Sequence, residues 1–438
     1  MPGATSLPSL FMYVDMNSFF ASCEQQDEPT LRGQPIGVVP FLSPTACVIA
    51  PSIEAKKFGV RTGMRINECL ALCPHLIPVA ARPWRYRQFH VSIMSVLHSF
   101  CNELVARSID EAFLNLTSYR LVYKDAHALA KDIKEAIKKE CGQYILCSIG
   151  IAPNVFLAKL GTELQKPDGL IEITPQNLEY YLSKLKLQDL PGIGSRNAQR
   201  LQRVGIHNPV ELHRASASIL RSAFGGIVGN YWHARLHFRE VDIYQNPYKA
   251  MSAGRTISRA QRSQPEQLQG LFIALCSRLE QRMVKQEIFC RTVHLTAKYI
   301  NNIKWEATAR TSYPVQDSME LREYLLDKVR QYEKQTGTKV FNEQLVHLGV
   351  EVKDFINASD VSYTLFDNKM KQDNLRKVLY NIKDRFGRDI VRKASETIAP
   401  GVMTDAIGFG SVRDMYAATP EHSENPQDHL VNKYLLEA

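Results

Sequence analysis

The chain has 438 residues, and its 45% of apolar and 23% of charged residues are typical of a soluble globular protein rather than a disordered or fibrous one. A chain of this length is too long for one hydrophobic core and predicts about three domains. Its 54 Lys and Arg residues against 45 Asp and Glu residues give a formal net charge of +9. This modest excess is compatible with an anionic partner such as nucleic acid, and equally with none.

The sequence carries no evident targeting or disulfide signal. The nine cysteines show no spacing typical of a zinc site, and most lie in apolar stretches. We therefore expect reduced thiols in the core of a cytoplasmic protein, associated with the nucleoid if the source is bacterial. Residues 1–10 have no basic segment, and no apolar run approaches about 18 residues. We accordingly expect no membrane partner, and a monomer.

The first half of the chain alternates between predicted strands and helices. An apolar run at residues 10–14 predicts a buried strand that ends at Asp15. Residues 105–116 alternate well enough to form a strand or hairpin, with Asp110 and Glu111 in its middle. Further strands are predicted at 35–39, 46–50 and 144–151, and helices at 54–58, 65–72, 84–104, 126–139 and 154–164.

The second half changes character twice. Residues 174–239 are mostly helical in pattern, and residues 245–247 predict a linker. Strands and helices return at 250–354, and the tail that follows is polar apart from a basic helix near 375–386. The pattern as a whole predicts an α+β multidomain protein.

Three acidic residues lie within or at the end of predicted strands, namely Asp15, Asp110 and Glu111. Carboxylates are depleted in strands and costly when buried without a partner, so these three call for a cation, and magnesium suits an all-oxygen site. Successive strand residues face opposite sides, so Asp110 and Glu111 can share a site only if the strand bends or begins there. The alternative is that Asp15 caps a helix and that the other two lie in an exposed turn.

The order of several short motifs carries a resemblance. Residues 14–21 and 108–114 resemble the two catalytic motifs of the Y-family DNA polymerases, the translesion enzymes of the UmuC and DinB type. The likeness continues in the same order through residues 54–60, 148–152, 158–160, 166–169 and 190–194. Each motif is short, but the ordered set is specific and covers roughly residues 10–215.

The resemblance implies a right-hand polymerase with an α+β palm, small fingers, a helical helix-hairpin-helix thumb and an α+β little finger. The implied boundaries are 1–18 and 83–172 for the palm, 19–82 for the fingers, 173–240 for the thumb, 241–247 for a linker, 248–358 for the little finger and 359–438 for a tail. Fingers this small would check the shape of the nascent base pair poorly and would admit damaged templates. The implied function is low-fidelity translesion synthesis in DNA repair and stress-induced mutagenesis.

The resemblance also implies the chemistry of the site. Asp15, Asp110 and Glu111 correspond to the metal carboxylates, and the backbone carbonyl of Met16 to a further ligand. They would hold two Mg²⁺ ions, for which Mn²⁺ can substitute. The implied reaction is two-metal nucleotidyl transfer, in which a primer 3′-oxygen attacks the α-phosphate of a deoxynucleoside triphosphate on primer-template DNA.

Four residues correspond to contacts with the incoming nucleotide. Phe19 and Phe20 follow the first strand, and Phe20 matches the steric gate that excludes a ribose 2′-hydroxyl. Lys56 and Lys166 match cations that contact the triphosphate. The alternatives are a pair of core aromatics and two solvated lysines. Ile53 departs from the archaeal pattern, which has a triphosphate-contacting Tyr there, so Lys56 and Lys166 would carry more of the binding.

Two segments are candidates for DNA contacts. Gly192, Ile193 and Gly194 resemble the turn of a helix-hairpin-helix, whose amides at a helix N-terminus suit a DNA phosphate. Residues 249–265 contain Lys249, Arg255, Arg259 and Arg262 and no acid. In a strand, Arg255 and Arg259 would lie on one face and could follow a phosphate backbone, although a solvated edge strand is the alternative.

The tail carries a candidate partner motif. Residues 363–366 resemble the Leu-Phe end of a sliding-clamp-binding peptide, with Leu365 and Phe366 as the contacts, although Ser362 stands where the usual glutamine would be. Two rival functions remain at this stage. One is a catalytically inactive scaffold with the same fold, and the other is a helix-hairpin-helix DNA-binding or nuclease protein.

Overall fold

The computed structural model describes residues 9–44, 46–243, 249–363, 368–386, 390–391 and 393. The chain divides into two compact units, with the main boundary after Gln245. Within the described residues, no helix is both long and apolar enough to cross a membrane. Leu365 and Phe366 lie outside the described residues.

The described part of the first unit alternates strands and helices up to residue 173 and is helical thereafter. Its strands are β1 (Phe11–Met16), β2 (Ile36–Val39), β3 (Ala50–Pro51), β4 (Ile77–Ala80), β5 (Leu104–Ala106), β6 (Glu111–Asn115), β7 (Cys147–Ala152) and β8 (Leu170–Glu172). Its helices are α1 (Phe19–Asp27), α2 (Ile53–Lys57), α3 (Ile66–Leu72), α4 (Pro83–Phe100), α5 (Ala126–Cys141), α6 (Val155–Leu164), α7 (Leu178–Leu182), α8 (Ser195–Gln202), α9 (Pro209–Arg214), α10 (Ala217–Phe224) and α11 (Ile227–Leu236).

The larger sheet of this unit has the strand order β5-β6-β1-β7-β8, so β1 lies at its centre. Successive side chains of a strand point to opposite faces. Met12, Val14 and Met16 accordingly enter a core with residues of α4 and α5, whereas Phe11 and Tyr13 enter a core with residues of α6. Because both faces of β1 are covered, its sequence is an unbroken apolar run, as predicted, up to the acid near its end.

Helix α6 packs unusually close to β7. A Cβ atom added to Gly150 of β7 would lie 1.9 Å from the carbonyl oxygen of Ala158, and one added to Gly161 would lie 3.0 Å from the Cα atom of Gly150. Asn154 caps the helix by accepting a 2.8 Å hydrogen bond from the amide of Leu157. The cap and the glycine contact fix where each α6 side chain lies over the sheet.

A second, smaller sheet has the order β3-β2-β4 and a core of its own. The predicted strand at 46–50 is mostly absent here, since β3 covers only Ala50–Pro51 and Cys47 forms a single bridge to Arg65. Proline has no amide hydrogen for a strand ladder, which explains the short pairing beside Pro51.

The described part of the second unit is a four-stranded antiparallel sheet with helices. Its elements are β9 (Ala250–Thr256), α12 (Arg259–Arg262), α13 (Pro265–Lys285), β10 (Ile288–Tyr299), β11 (Lys304–Val315), α14 (Ser318–Thr336), β12 (Leu345–Asn357) and α15 (Lys369–Phe386), and the strand order is β11-β10-β12-β9. Leu275 of α13 and Leu325 of α14 belong to the same buried core as Val350 of β12. The basic tail helix that was predicted near 375–386 is present as α15, and it begins earlier, at Lys369.

The prediction that Arg255 and Arg259 share one strand face is wrong. β9 ends at Thr256, and Arg259 begins the short helix α12, because Ser258 caps that helix by accepting a hydrogen bond from the amide of Gln261. By strand alternation, Arg255 lies on the same side as the buried Ala253, so it faces the core side of the sheet at the strand end.

Candidate active site

The sheet register brings two of the predicted acids directly together. Asp15 of β1 is the antiparallel partner of Glu111 of β6, so their side chains project from the same face. Strand β6 begins at Glu111, and Asp110 lies just before it. The Asp110 carbonyl oxygen accepts a 2.9 Å hydrogen bond from the Met16 amide. The strand therefore begins between the two adjacent acids. Because Asp110 lies outside the strand, its side chain need not point to the face opposite Glu111.

One lysine from α6 lies between these acids. The ammonium group of Lys159 contacts Asp15 Oδ2, lies 2.7 Å from Glu111 Oε1 and 2.9 Å from Glu163 Oε1. Tyr13 donates a 2.8 Å hydrogen bond to the other Glu111 oxygen. The carboxylates of Asp15, Glu111 and Glu163 therefore form a cluster around the ammonium group of Lys159.

Lys166 reaches the same cluster from the loop between α6 and β8. Its ammonium group lies 3.2 Å from Asp15 Oδ1 and 3.0 Å from Glu163 Oε1. The loop is held from behind by Asn17, whose side-chain oxygen accepts a 2.7 Å hydrogen bond from the Asp168 amide. Ser148 accepts a 3.2 Å hydrogen bond from the Gly169 amide. These buried contacts fix the loop that presents Lys166 to the acids.

Burial and charge act in opposite directions on the acids. Burial is the largest influence on Asp15 and raises the pKa of its carboxyl group to about 6, against the attraction of Lys159 and Lys166. Burial likewise raises the pKa of Asp110. Burial also opposes ionisation of Glu111, but the charge and hydrogen bond of Lys159 outweigh it, and the pKa of Glu111 lies below its ordinary value. Burial therefore opposes ionisation of the acids, and nearby positive charge favours it.

The donor set suits divalent metal ions. Carboxylates and a backbone carbonyl are the hard oxygen ligands that magnesium takes, and Asp15 and Glu111 already share one cation, that of Lys159. Among the residues that the structure describes, no three acidic, histidine or cysteine side chains are arranged to hold an ion as they stand. The Asp110 carboxylate accepts a hydrogen bond from the Ser108 hydroxyl.

Lys56 lies near the same cluster. It is in the last turn of α2, a helix capped by Ser52, and its side chain is exposed. Desolvation by nearby protein atoms lowers the pKa of Lys56, and the charge of Lys166 lowers it further, whereas Asp15 raises it. The two lysines that were predicted from separate motifs therefore act electrostatically on each other and on Asp15.

Phe19 and Phe20 are both buried in the core shared by β1 and α4. Phe20 is 5% exposed and stacks on Tyr86, with ring centroids 4.4 Å apart. Tyr86 donates a 2.6 Å hydrogen bond to Glu24, which also forms an ion pair with Arg82. The aromatic pair is thus part of the core on the Met16 side of β1, as the interpretation of a pair of core aromatics expected.

The predicted DNA-contact turn precedes α8. Gly192 has a φ of +90°, and Gly194 is the N-cap of α8. Both glycines are exposed, whereas Ile193 between them is 3% exposed. A left-handed turn is accessible to glycine at little cost, which explains the residue at 192. The turn therefore presents backbone to solvent while Ile193 anchors it in the core.

The sequence did not single out the roles of Lys159 and Glu163. They are the two charged residues of α6, whose other eight positions are uncharged. Their spacing of four residues brings both to one side of the helix. Charged residues on a helix are normally read as solvated, so the available signal was their position on a helix that is apolar on nearly every side.

Comparison with protein families identifies the class. Residues 14–163 match the model described as the impB/mucB/samB family, and residues 248–365 match its C-terminal domain. The first match contains Asp15, Asp110, Glu111 and Lys159. The matched segments lie one in each of the two units.

Individual relatives agree over nearly the whole chain. DNA polymerase IV of Pelotomaculum thermopropionicum is 30% identical over 407 residues, which cover 91% of this chain and 98% of the relative. DNA polymerase IV of Treponema denticola is 26% identical, covering 88% and 96%. A Y-family DNA polymerase chimera has a similar fold, with a TM-score of 0.63 at 22% identity over 80% of this chain and 99% of the chimera. The chain belongs to the impB/mucB/samB family, the Y-family DNA polymerases of the DinB and UmuC type.

Proposed function

We propose that the chain is a DNA-directed DNA polymerase that carries out translesion synthesis by two-metal nucleotidyl transfer, with deoxynucleoside triphosphates and primer-template DNA as substrates. The observation that carries the proposal is the register pairing of Asp15 with Glu111 beside Asp110, in a family whose relatives are DNA polymerases. Since the acids come from distant parts of the chain, their convergence is a property of the fold.

The three carboxylates and the Met16 carbonyl are the proposed ligands of two Mg²⁺ ions, with Mn²⁺ as a substitute. Bound there, the ions would supply Lewis-acid stabilisation of the attacking and leaving oxygens. The protein holds the ligands in place through the strand pairing at Asp15 and the hydrogen bond from the Met16 amide to Asp110. Such rigid positioning is the main contribution of a protein to phosphoryl transfer.

Lys56 and Lys166 are the proposed contacts to the triphosphate. Both interact electrostatically with Asp15, and their like charges repel each other. A triphosphate between them would relieve this repulsion. Phe20 is the proposed sugar gate, and its position as the second residue of α1, shortly after β1 ends at Met16, supports that role.

The proposed DNA contacts come from several separate segments of the chain. The exposed Gly192 and Gly194 backbone before α8 suits a phosphate that is held without base readout. Lys249 and Arg259 remain candidates in the second unit, and both are exposed. Arg255 does not share a strand face with Arg259, and its candidacy rests only on its position near the end of β9. The sliding-clamp motif at Leu365 and Phe366 remains a proposal, which a clamp-column pull-down with both residues changed to Ala tests.

A primer-extension assay with undamaged and lesion-bearing templates tests the proposal. We expect wild-type protein with Mg²⁺ to extend the primer on both templates, and Asp15→Asn or Glu111→Gln to lose at least about 10³-fold in rate. The control is Asp132→Asn, an equal change at an exposed position of α5, which should extend normally. Shortened primers would instead show a nuclease, and no reaction by wild-type protein would show a scaffold.

A further inference from the structure

We propose that the ammonium group of Lys159 is an internal counter-ion, which holds the carboxylates of Asp15 and Glu111 in the metal-free protein and which a divalent cation displaces. The inference rests on the proposed function, because it assumes that these two carboxylates are metal ligands. It assigns Lys159 a positioning role that is distinct from contact with the substrate.

The contacts of Lys159 are those of a bound cation rather than a surface lysine. An ammonium group has three N–H donors, and here three carboxylates receive them, from Asp15, Glu111 and Glu163. The side chain is 16% exposed, and its nitrogen lies 5.4 Å from the centre of the Tyr13 ring. Lys159 is therefore desolvated and surrounded by negative charge from two strands and its own helix.

The position of Lys159 is set by the backbone. A side chain at Gly150 would collide with the carbonyl oxygen of Ala158, the residue before Lys159, so glycine is needed for α6 to lie this close to β7. That close approach directs residue 159 toward the face of β1 that carries Asp15. A longer distance between helix and sheet would leave the ammonium group short of the acids.

Lysine and metal ion require the same oxygens. Asp15 and Glu111, which Lys159 contacts, are also two of the proposed metal ligands. Two cations on one oxygen pair repel strongly in a partly buried site. Glu163 offers Lys159 a partner one turn along α6, 2.9 Å away, that does not depend on Asp15. The lysine can therefore yield the acids and remain paired.

Binding of Mn²⁺ to the full-length protein, measured by electron paramagnetic resonance without DNA or nucleotide, tests the inference. Removal of the competing charge in Lys159→Met should tighten Mn²⁺ binding by about tenfold or more. The control Lys159→Arg keeps the cation and should bind Mn²⁺ no tighter than wild type. Lys159→Gln serves in place of the Met variant if that variant does not fold.

Thermal unfolding gives a second readout. With EDTA present, Lys159→Met should melt below wild type, because Asp15 and Glu111 then repel each other without a counter-ion. Added Mn²⁺ should raise the melting temperature of Lys159→Met by more than that of wild type. A merely structural lysine would give a lower melting temperature without this larger gain.

The outcomes separate the two proposals. Equal or weaker Mn²⁺ binding by Lys159→Met, in a protein whose Mn²⁺ binding is removed by Asp15→Asn, overturns the counter-ion role and leaves the proposed function standing. Mn²⁺ binding to wild type that Asp15→Asn leaves unchanged overturns the metal site itself, and the counter-ion role with it. Tighter Mn²⁺ binding by Lys159→Met than by wild type, which is lost when Asp15→Asn is added to that variant, supports both the counter-ion role and the metal site.

Discussion

The ring of Phe20 lies face to face with the ring of Tyr86, with 4.4 Å between ring centroids and 12° between their planes. Tyr86 is in turn fixed, since its hydroxyl donates to Glu24 and accepts a 3.1 Å hydrogen bond from the Arg82 amide. The proposed sugar gate is therefore supported from behind by a ring that cannot easily move. A gate excludes a hydroxyl group only if its position is rigid.

Phe20→Ala should raise the ratio of ribonucleotide to deoxynucleotide incorporation by at least about tenfold, because it opens the space that the ring occupies. Since Phe20 is buried, the change should also cost about 3–5 kcal/mol of stability. Ratios of kcat/KM within one preparation cancel the loss of folded enzyme. The matched control is Phe272→Ala, which removes a 1% exposed ring from the core of the second unit and should leave the ratio unchanged. Unaltered sugar selectivity in Phe20→Ala would refute the gate.

Tyr86 should affect selectivity through Phe20. Tyr86→Leu removes the stacked ring, so we expect more ribonucleotide incorporation with deoxynucleotide kcat less affected. Tyr86→Phe keeps the ring but removes the hydroxyl that donates a hydrogen bond to Glu24. It should therefore lose about 1–3 kcal/mol of stability and keep the selectivity of wild type. Steady-state incorporation of both nucleotide types by the two variants, with thermal melts, makes the comparison. Equal selectivity in Tyr86→Leu and Tyr86→Phe would show that the stack has no such role.

Lys166→Met should raise the KM for deoxynucleoside triphosphate by about tenfold, because a charge-assisted contact to phosphate is lost. Lys56→Met should act in the same direction. Lys57→Met is the control, since Lys57 is the exposed neighbour of Lys56 in the last turn of α2. Single-nucleotide insertion kinetics at saturating DNA measure the effect. A change confined to kcat in Lys166→Met would contradict a role in nucleotide binding.

The sequence was sufficient for elements that are set by a short local pattern. The apolar run before Asp15 predicted a buried strand, and β1 is that strand and pairs Asp15 with Glu111. The cluster around Lys159 could not be predicted, because it depends on the closeness of α6 to β7 rather than on any local pattern. The prediction that Arg259 continues the strand of Arg255 was wrong because of a local signal, since Ser258 caps a helix that begins at Arg259.

His90 links pH to the stability of the native protein. It is fully buried in α4, and its Nδ1 donates a 2.8 Å hydrogen bond to the carbonyl oxygen of Ile109, next to Asp110. Burial lowers the pKa of His90 from its ordinary value of 6.5, although the bond to Ile109 opposes the shift. As the pH falls below 6.5, the unfolded chain takes up a proton that the native imidazole does not, so native stability falls.

We therefore expect the free energy of unfolding of wild type to decrease between pH 7.5 and 5.5, about one unit on either side of the ordinary histidine value, and His90→Gln to lack that part of the decrease. His98→Gln is the matched control, because His98 lies on the exposed side of the same helix. Urea unfolding at several pH values measures the slope for all three proteins. The slope should be shallower in His90→Gln than in wild type and in His98→Gln, since burial of the His90 imidazole opposes its protonation in the native state. An identical slope in His90→Gln and wild type would assign the pH dependence to other groups.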